Sequence, residues 1–180
     1  ASPGLGALYN PSFSGSGAEF IPGGSGKVTI VPNSAKVSLD VMNDGIVLQS
    51  FPFNVRRVPK PEIKILINGR ATSQDVLRKG VAASSVRSIS VVAEADESFK
   101  ETNPEDAQYR VSSFTVVLAS GVRSKGKVDG TNSANVSNYA SEAAAGDRYV
   151  ITINKVERRN FQGNVEEINI GDGVFVVALN

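Results

Sequence analysis

The 180 residues carry 19 Lys+Arg against 18 Asp+Glu, for a formal net charge of +1, and contain no cysteine, histidine or tryptophan. Disulfides, thiol nucleophiles, zinc sites built on Cys or His and Ser/His/Asp catalytic arrangements are thereby excluded. The charge balance also argues against a nucleic-acid binder and against an acidic disordered chain. Val and Ile together number 35 against 8 Leu, and β-branched side chains pack well on a pleated surface. The composition therefore predicts a mainly β, folded, non-enzymatic module with no cofactor and no small-molecule substrate. No apolar run reaches the roughly 18–20 residues needed to cross a bilayer as a helix. A chain that opens on Ala1 without a signal segment is expected to be a processed form or a fragment of something longer.

In chain order, residues 1–26 are rich in Gly, Ser and Pro and predict loop with one or two short extended pieces. Lys27 to Val31 and the alternating Lys36 to Val41 predict strands. Asn43-Asp44-Gly45 supplies a hairpin turn into a return strand from Ile46 to Val55. Residues 1–57 then form one small β domain. Pro59 and Pro61 mark 58–61 as a linker, because each removes a backbone donor and favours extended geometry before it.

The second domain, 62–180, opens with a strand from Glu62 to Ile67. A short helix follows, capped at Thr72-Ser73-Gln74-Asp75 and closed by Gly80. Strands are predicted at Arg87–Glu94 and Gln108–Ala119, with the acidic stretch Glu94 to Asp106 as a solvated loop between them. Ser133 to Ala145 reads as a second helix stopped by Gly146. The last strands are Arg148–Val156, Val165–Ile170 and the wholly apolar Val174 to Leu179. That final run is expected in the middle of a sheet or in a chain–chain interface.

Several motifs invite chemistry and decline it. Gly23-Gly24-Ser25-Gly26-Lys27 lacks the spacing, the hydroxyl and the following helix of a phosphate loop. Asp40 to Gly45 has Met42 where a calcium loop needs an oxygen ligand. The acids Glu94, Asp96, Glu97, Glu101, Glu105 and Asp106 have the composition of a cation or acid/base site, and equally of a solvated run. Basic residues gather at Arg56, Arg57, Lys60 and Lys64, at Arg123, Lys125 and Lys127, and at Lys155, Arg158 and Arg159. The last two groups read as basic turns without the interleaved aromatics that nucleic acid would need; they read first as turn charges that keep edges soluble, and as a functional surface Arg123, Lys125, Lys127, Arg158 and Arg159 would meet a protein partner with an acidic surface.

Phe53-Asn54-Val55-Arg56-Arg57-Val58-Pro59-Lys60-Pro61 and Tyr109-Arg110-Val111-Ser112-Ser113-Phe114, with Gly146-Asp147 opening the strand through Lys155, resemble the C-terminal periplasmic region of the GldM/PorM family. The likeness covers residues 50–180. It implies an immunoglobulin-like β-sandwich, here lacking its first strands, followed by a β-rich domain with one or two short helices. It also implies a dimeric periplasmic rod in gliding motility and type IX secretion. Such a rod pairs with GldL/PorL through a membrane segment that this chain does not hold, and meets the outer-membrane-associated GldK/GldN (PorK/PorN) ring. Asn160-Phe161-Gln162-Gly163-Asn164 replaces the family's Pro-Asp-Gly turn, so contacts made by that turn are not carried over. A cell-surface adhesion or carbohydrate-binding β-sandwich is the alternative.

Overall fold

The computed structural model describes residues 11–180, and the first ten residues of the predicted N-terminal loop lie outside them. The chain is mainly β and divides into two compact units, residues 1–58 and 59–180. In the first unit, β1 (Ser12–Ser16), β4 (Lys36–Asn43) and β5 (Ile46–Asn54) make one antiparallel sheet in the order β1-β4-β5. Strands β2 (Ala18–Gly23) and β3 (Lys27–Pro32) make a second, two-stranded one. The glycine-rich stretch at residues 23–27 is the β2–β3 hairpin turn. Asp44 and Gly45 both take positive φ, 50° and 80°, as a twist-matched two-residue hairpin requires. Residues 12–23, expected as loop with short extended pieces, are two regular strands. Among the described residues of this unit only Val37 and Leu39 are buried apolar side chains.

The second unit has a four-stranded antiparallel sheet ordered β11-β8-β6-β7, built from β6 (Glu62–Ile67), β7 (Arg70–Ala71), β8 (Ser88–Glu94) and β11 (Ser133–Asn135). Its other sheet centres on β9 (Gln108–Ser120) and β12 (Arg148–Arg159), which pair along nearly their whole length. The strand β10 (Arg123–Gly130) flanks β9, while β13 (Val165–Glu167) and β14 (Val174–Ala178) share the far edge of β12. Alternate residues of both sheets meet in one core: Ile65, Ile67, Ile89 and Val91 from the first, Phe114, Val116, Leu118, Tyr149, Ile151 and Val177 from the second. The helix α1 (Gln74–Lys79) adds Leu77 to it and is capped by Ser73, whose hydroxyl accepts from the Val76 amide.

Three expectations need correction. Ser133 to Ala145 is no helix: Ser133–Asn135 pairs with β8, Ala134 and Val136 are buried, and the Asn135 side chain accepts from the Ser137 amide. That local bond turns the chain into a single 3-10 turn at Ser137–Tyr139 in place of a continuing helix. The acidic stretch contains α2 (Glu97–Thr102), started by Asp96 accepting from the Phe99 amide at 3.0 Å. Finally, β14 does not lie in the middle of its sheet but pairs with β12 alone, at an edge. Val177 and Leu179 are buried, but Val174 and Val176 remain about half exposed.

Residues 55–61 carry no regular structure, and the Tyr109 hydroxyl donates to the Pro59 carbonyl at 2.7 Å, tying the start of the second unit to β9. Arg56 and Arg57 are exposed. Brief trypsin digestion is expected to cut there first and release a resistant fragment beginning at Arg57 or Val58 and running to residue 180; earlier cleavage inside that unit would contradict the division. Tyr149 is fully buried and its hydroxyl has no partner among the described residues. Because an unpaired buried hydroxyl costs desolvation without return, Tyr149→Phe should leave stability unchanged or raise it by up to about 1 kcal/mol in denaturant melts. A clear loss would mean that the hydroxyl is satisfied.

Candidate functional site

The basic residues predicted as two turns lie on strands. Arg123, Lys125 and Lys127 sit on β10, which leaves β9 through a turn at Gly121 and Val122. The register shifts between Ser124 and Gly126, so Lys125 is the extra residue of a bulge. Its ammonium donates to the Asp147 carboxylate at 2.6 Å and to the Glu142 carbonyl at 3.0 Å. A Cβ on Gly126 would fall 2.2 Å from the Tyr139 ring, so only glycine lets that ring lie across β10, where its hydroxyl donates to the Lys127 carbonyl. Lys125 is thus engaged in holding β10 to the 142–147 loop. Arg123 and Lys127 stay exposed, the latter 3.5 Å from Asp129.

The other pair is split by the sheet itself. Irregularities in the β9–β12 register fall between Ile153 and Val156. Before them the inward residues of β12 are Tyr149 and Ile151; after them the buried set includes Val156 and Arg158. This change of phase carries Arg158 inward, where its guanidinium donates to Glu166 at 2.7 Å and to the Asp106 carbonyl at 3.3 Å. Arg158 is only 7% exposed. Its neighbour Arg159 points outward into a hollow of about 440 Å³ with Gln108, Arg110, Glu157 and Val165. Arg159 is paired in register with Gln108, and Arg123 with Ser120. Twelve residues of β9 at about 3.3 Å each put the two roughly 40 Å apart. The exposed cations therefore form two surfaces.

Three of the six acidic residues are committed to the fold. Asp96 caps α2, Glu94 pairs with Lys64, and Asp106 accepts from the Phe161 amide. A hollow of about 730 Å³ lies beside this segment and mixes Lys60, Lys64 and Lys100 with Glu62, Glu94 and Glu97. Among the described residues no three acidic side chains converge as a metal site would need. Buried ion pairs were not legible beforehand: Glu157, 8% exposed, is held by Lys155 at 2.8 Å and Arg110 at 2.7 Å, which keep its carboxyl below the ordinary range. The opposed charges along Gln108–Tyr109–Arg110 and Glu157–Arg158–Arg159 were the available signal, usable only once the register was known.

Lys125, then the Ala144 amide and the Ser120 hydroxyl, hold the Asp147 carboxyl at about 2, from an ordinary 3.8. A carboxyl depressed in the native state stabilises it above its unfolded value, and that contribution drains as pH falls through the folded one. Thermal unfolding should therefore lose stability between about pH 4 and pH 2 in part through this group, and Asp147→Asn should flatten that portion of the profile. Parallel pH profiles for the two proteins would dismiss the latch.

Residues 59–180 match the GldM C-terminal domain, and residues 1–56 match the GldM third domain. No curated protein matches the chain at a significant level.

Proposed function

The chain belongs to the GldM family, a component of gliding motility and type IX secretion, and on that premise we propose that residues 59–180 dock in the periplasm on the outer-membrane-associated ring proteins GldK/GldN (PorK/PorN), performing no chemistry. The observation that carries this reading is the match of the whole second unit to the family's C-terminal domain. Two features agree with it. The unit's main sheet is held by the long β9–β12 pairing, and Arg123, Lys127 and Arg159 are exposed, where they would set encounter rate and salt sensitivity. No helix among the described residues is long and apolar enough to cross a membrane, so in this reading the contact with GldL/PorL belongs to another part of the protein. Two copies of the chain associate in the same rod.

Of the five basic residues, Lys125 and Arg158 are engaged in the fold, which leaves Arg123 and Lys127 on β10 and Arg159 at the far end as docking charges. Exposed pairs are each worth about 0–1 kcal/mol, so Arg123→Glu with Lys127→Glu should weaken capture of the ring proteins by roughly tenfold at low salt and flatten its salt dependence. Arg159→Glu tests the other surface separately. If a folded variant reversed at all three positions captures the ring proteins as the parent does, with the same salt dependence, these residues are not the docking charges. If the unaltered chain captures neither ring protein, docking does not reside in this region.

A further inference from the structure

The hollow of about 440 Å³ at the far end of the main sheet is built by register. Gln108, Arg159 and Val165 stand in one row across β9, β12 and β13, and Arg110, Glu157 and Glu167 stand in the next. Residues directly opposite share a face, and so do residues two apart on a strand, so these six side chains rise from the same side. Gly163, in the turn at residues 160–164, closes the rim. That turn is fixed by the fold: the Asn160 side-chain oxygen accepts from the Gln162 and Asn164 amides, and Asp106 accepts from the Phe161 amide.

Hydrogen-bonding capacity remains here after the fold's own bonds are made. Glu157 is fully engaged, because Nε and Nη2 of Arg110 reach its Oε2 at 2.9 and 2.7 Å while Lys155 reaches Oε1 at 2.8 Å. Arg110 keeps its Nη1 group for solvent, with a side chain 68% exposed. Arg159 and Gln108 are exposed, and among the described residues neither side chain has a hydrogen-bond partner. Gly163 adds no bulk beside the Arg159 guanidinium, where a Cβ would stand 3.6 Å from Nη2. Donors from Arg159, Arg110 and Gln108 thus face one hollow, and every acceptor of Glu157 is taken.

A guanidinium fork fits carboxylate and phosphate alike, so net charge decides between them. Arg110, Lys155 and Arg159 oppose Glu157 and Glu167 on this face, which leaves one positive charge. One carboxylate neutralises it, whereas a phosphate dianion would turn it negative beside two carboxylates, and like charges at that range repel. Val165, 54% exposed, stands beside Arg159 and offers apolar contact to the residue next to the acid in a peptide. We propose that this hollow is a carboxylate-binding site that receives an Asp or Glu side chain from an exposed segment of a protein partner, with Arg159 as its principal donor. That the partner is a protein rests on the docking reading above; the site rests on the geometry.

NMR titration of the isotope-labelled 180-residue chain tests it by following the arginine Nε–H signals. The probes are acetyl-Val-Glu-Val-amide, acetyl-Val-Gln-Val-amide and inorganic phosphate. The acidic peptide should shift Arg159 and Arg110 saturably, with half-saturation on the order of 1–10 mM, the scale of a few charge-assisted bonds in water, and should leave Arg123 unmoved. Its Gln counterpart should shift neither. Arg159→Gln, at an exposed position, should keep the folded amide spectrum and weaken binding about tenfold, while Lys127→Gln at the other end should not change it. Equal responses to the two peptides, a stronger response to phosphate, or a folded Arg159→Gln that binds as the parent does overturns the site. Docking is judged apart from it. A chain that binds the acidic peptide at Arg159 yet captures neither ring protein keeps the site and loses the docking reading, and one that captures them while ignoring the peptide loses the site alone.

Discussion

Gln108 to Arg159 owes its organisation to one pairing, that of β9 with β12, which runs from Ala119 opposite Arg148 to Gln108 opposite Arg159. Every other strand of that sheet is placed by it: β10 on one side, β13 and β14 sharing the other. The same pairing supplies most of the large core side chains, Phe114, Val116, Leu118, Tyr149 and Ile151. Such a long-range register is costly in chain entropy until the core closes, so its specification must come from side chains that only one alignment can bury.

The irregularities near Ile153 change which residues that alignment buries. On β9 the buried set moves from the even positions Phe114, Val116 and Leu118 to Val111, just as β12 moves from Tyr149 and Ile151 to Val156. Both strands change phase together, so pairing survives and the inner face stays continuous. A consequence is that the sheet's far end draws Arg158 inward, while Glu157, on the opposite face with Arg159, is covered by Arg110 and Lys155. Glu157 and Arg158 can be buried there because each is met by opposite charge with short hydrogen bonds, whereas an unpaired one would be strongly destabilising.

Strict alternation explains what could be read in the sequence. The stretches Lys36 to Val41, Glu62 to Ile67 and Arg87 to Glu94 became strands within a residue or two of their expected limits, and Ser73 and Gly80 framed α1 as their side-chain and backbone chemistry dictates. What failed lacks such a local signal. Arg123 to Gly130 has polar and glycine residues at strand positions because its bulge and the Tyr139 ring over Gly126 settle its conformation from outside. Ser133 to Ala145 has alanines that favour helix, yet burial of Ala134 and Val136 beside β8 outweighs that preference. The basic residues were visible as charges, but their separation into exposed and engaged ones depends on the phase change, which a period of two cannot anticipate.

The near-zero net charge takes on a different meaning once the pairs are placed. Lys64 meets Glu94, Arg110 and Lys155 meet Glu157, Lys125 meets Asp147, and Arg158 meets Glu166. These pairs connect segments distant in sequence: Arg158 joins the strand end to residue 106, and Lys125 joins β10 to the loop before β12. Charge is thereby concentrated on holding the second unit in one arrangement. Its solvent-facing basic side chains on β10 and β12 are few and stand at opposite ends of the sheet. The first unit shows the opposite economy, with an outer strand of nine uncharged residues and little buried apolar surface of its own. The second unit, by contrast, carries its own core, drawn from both of its sheets and from α1.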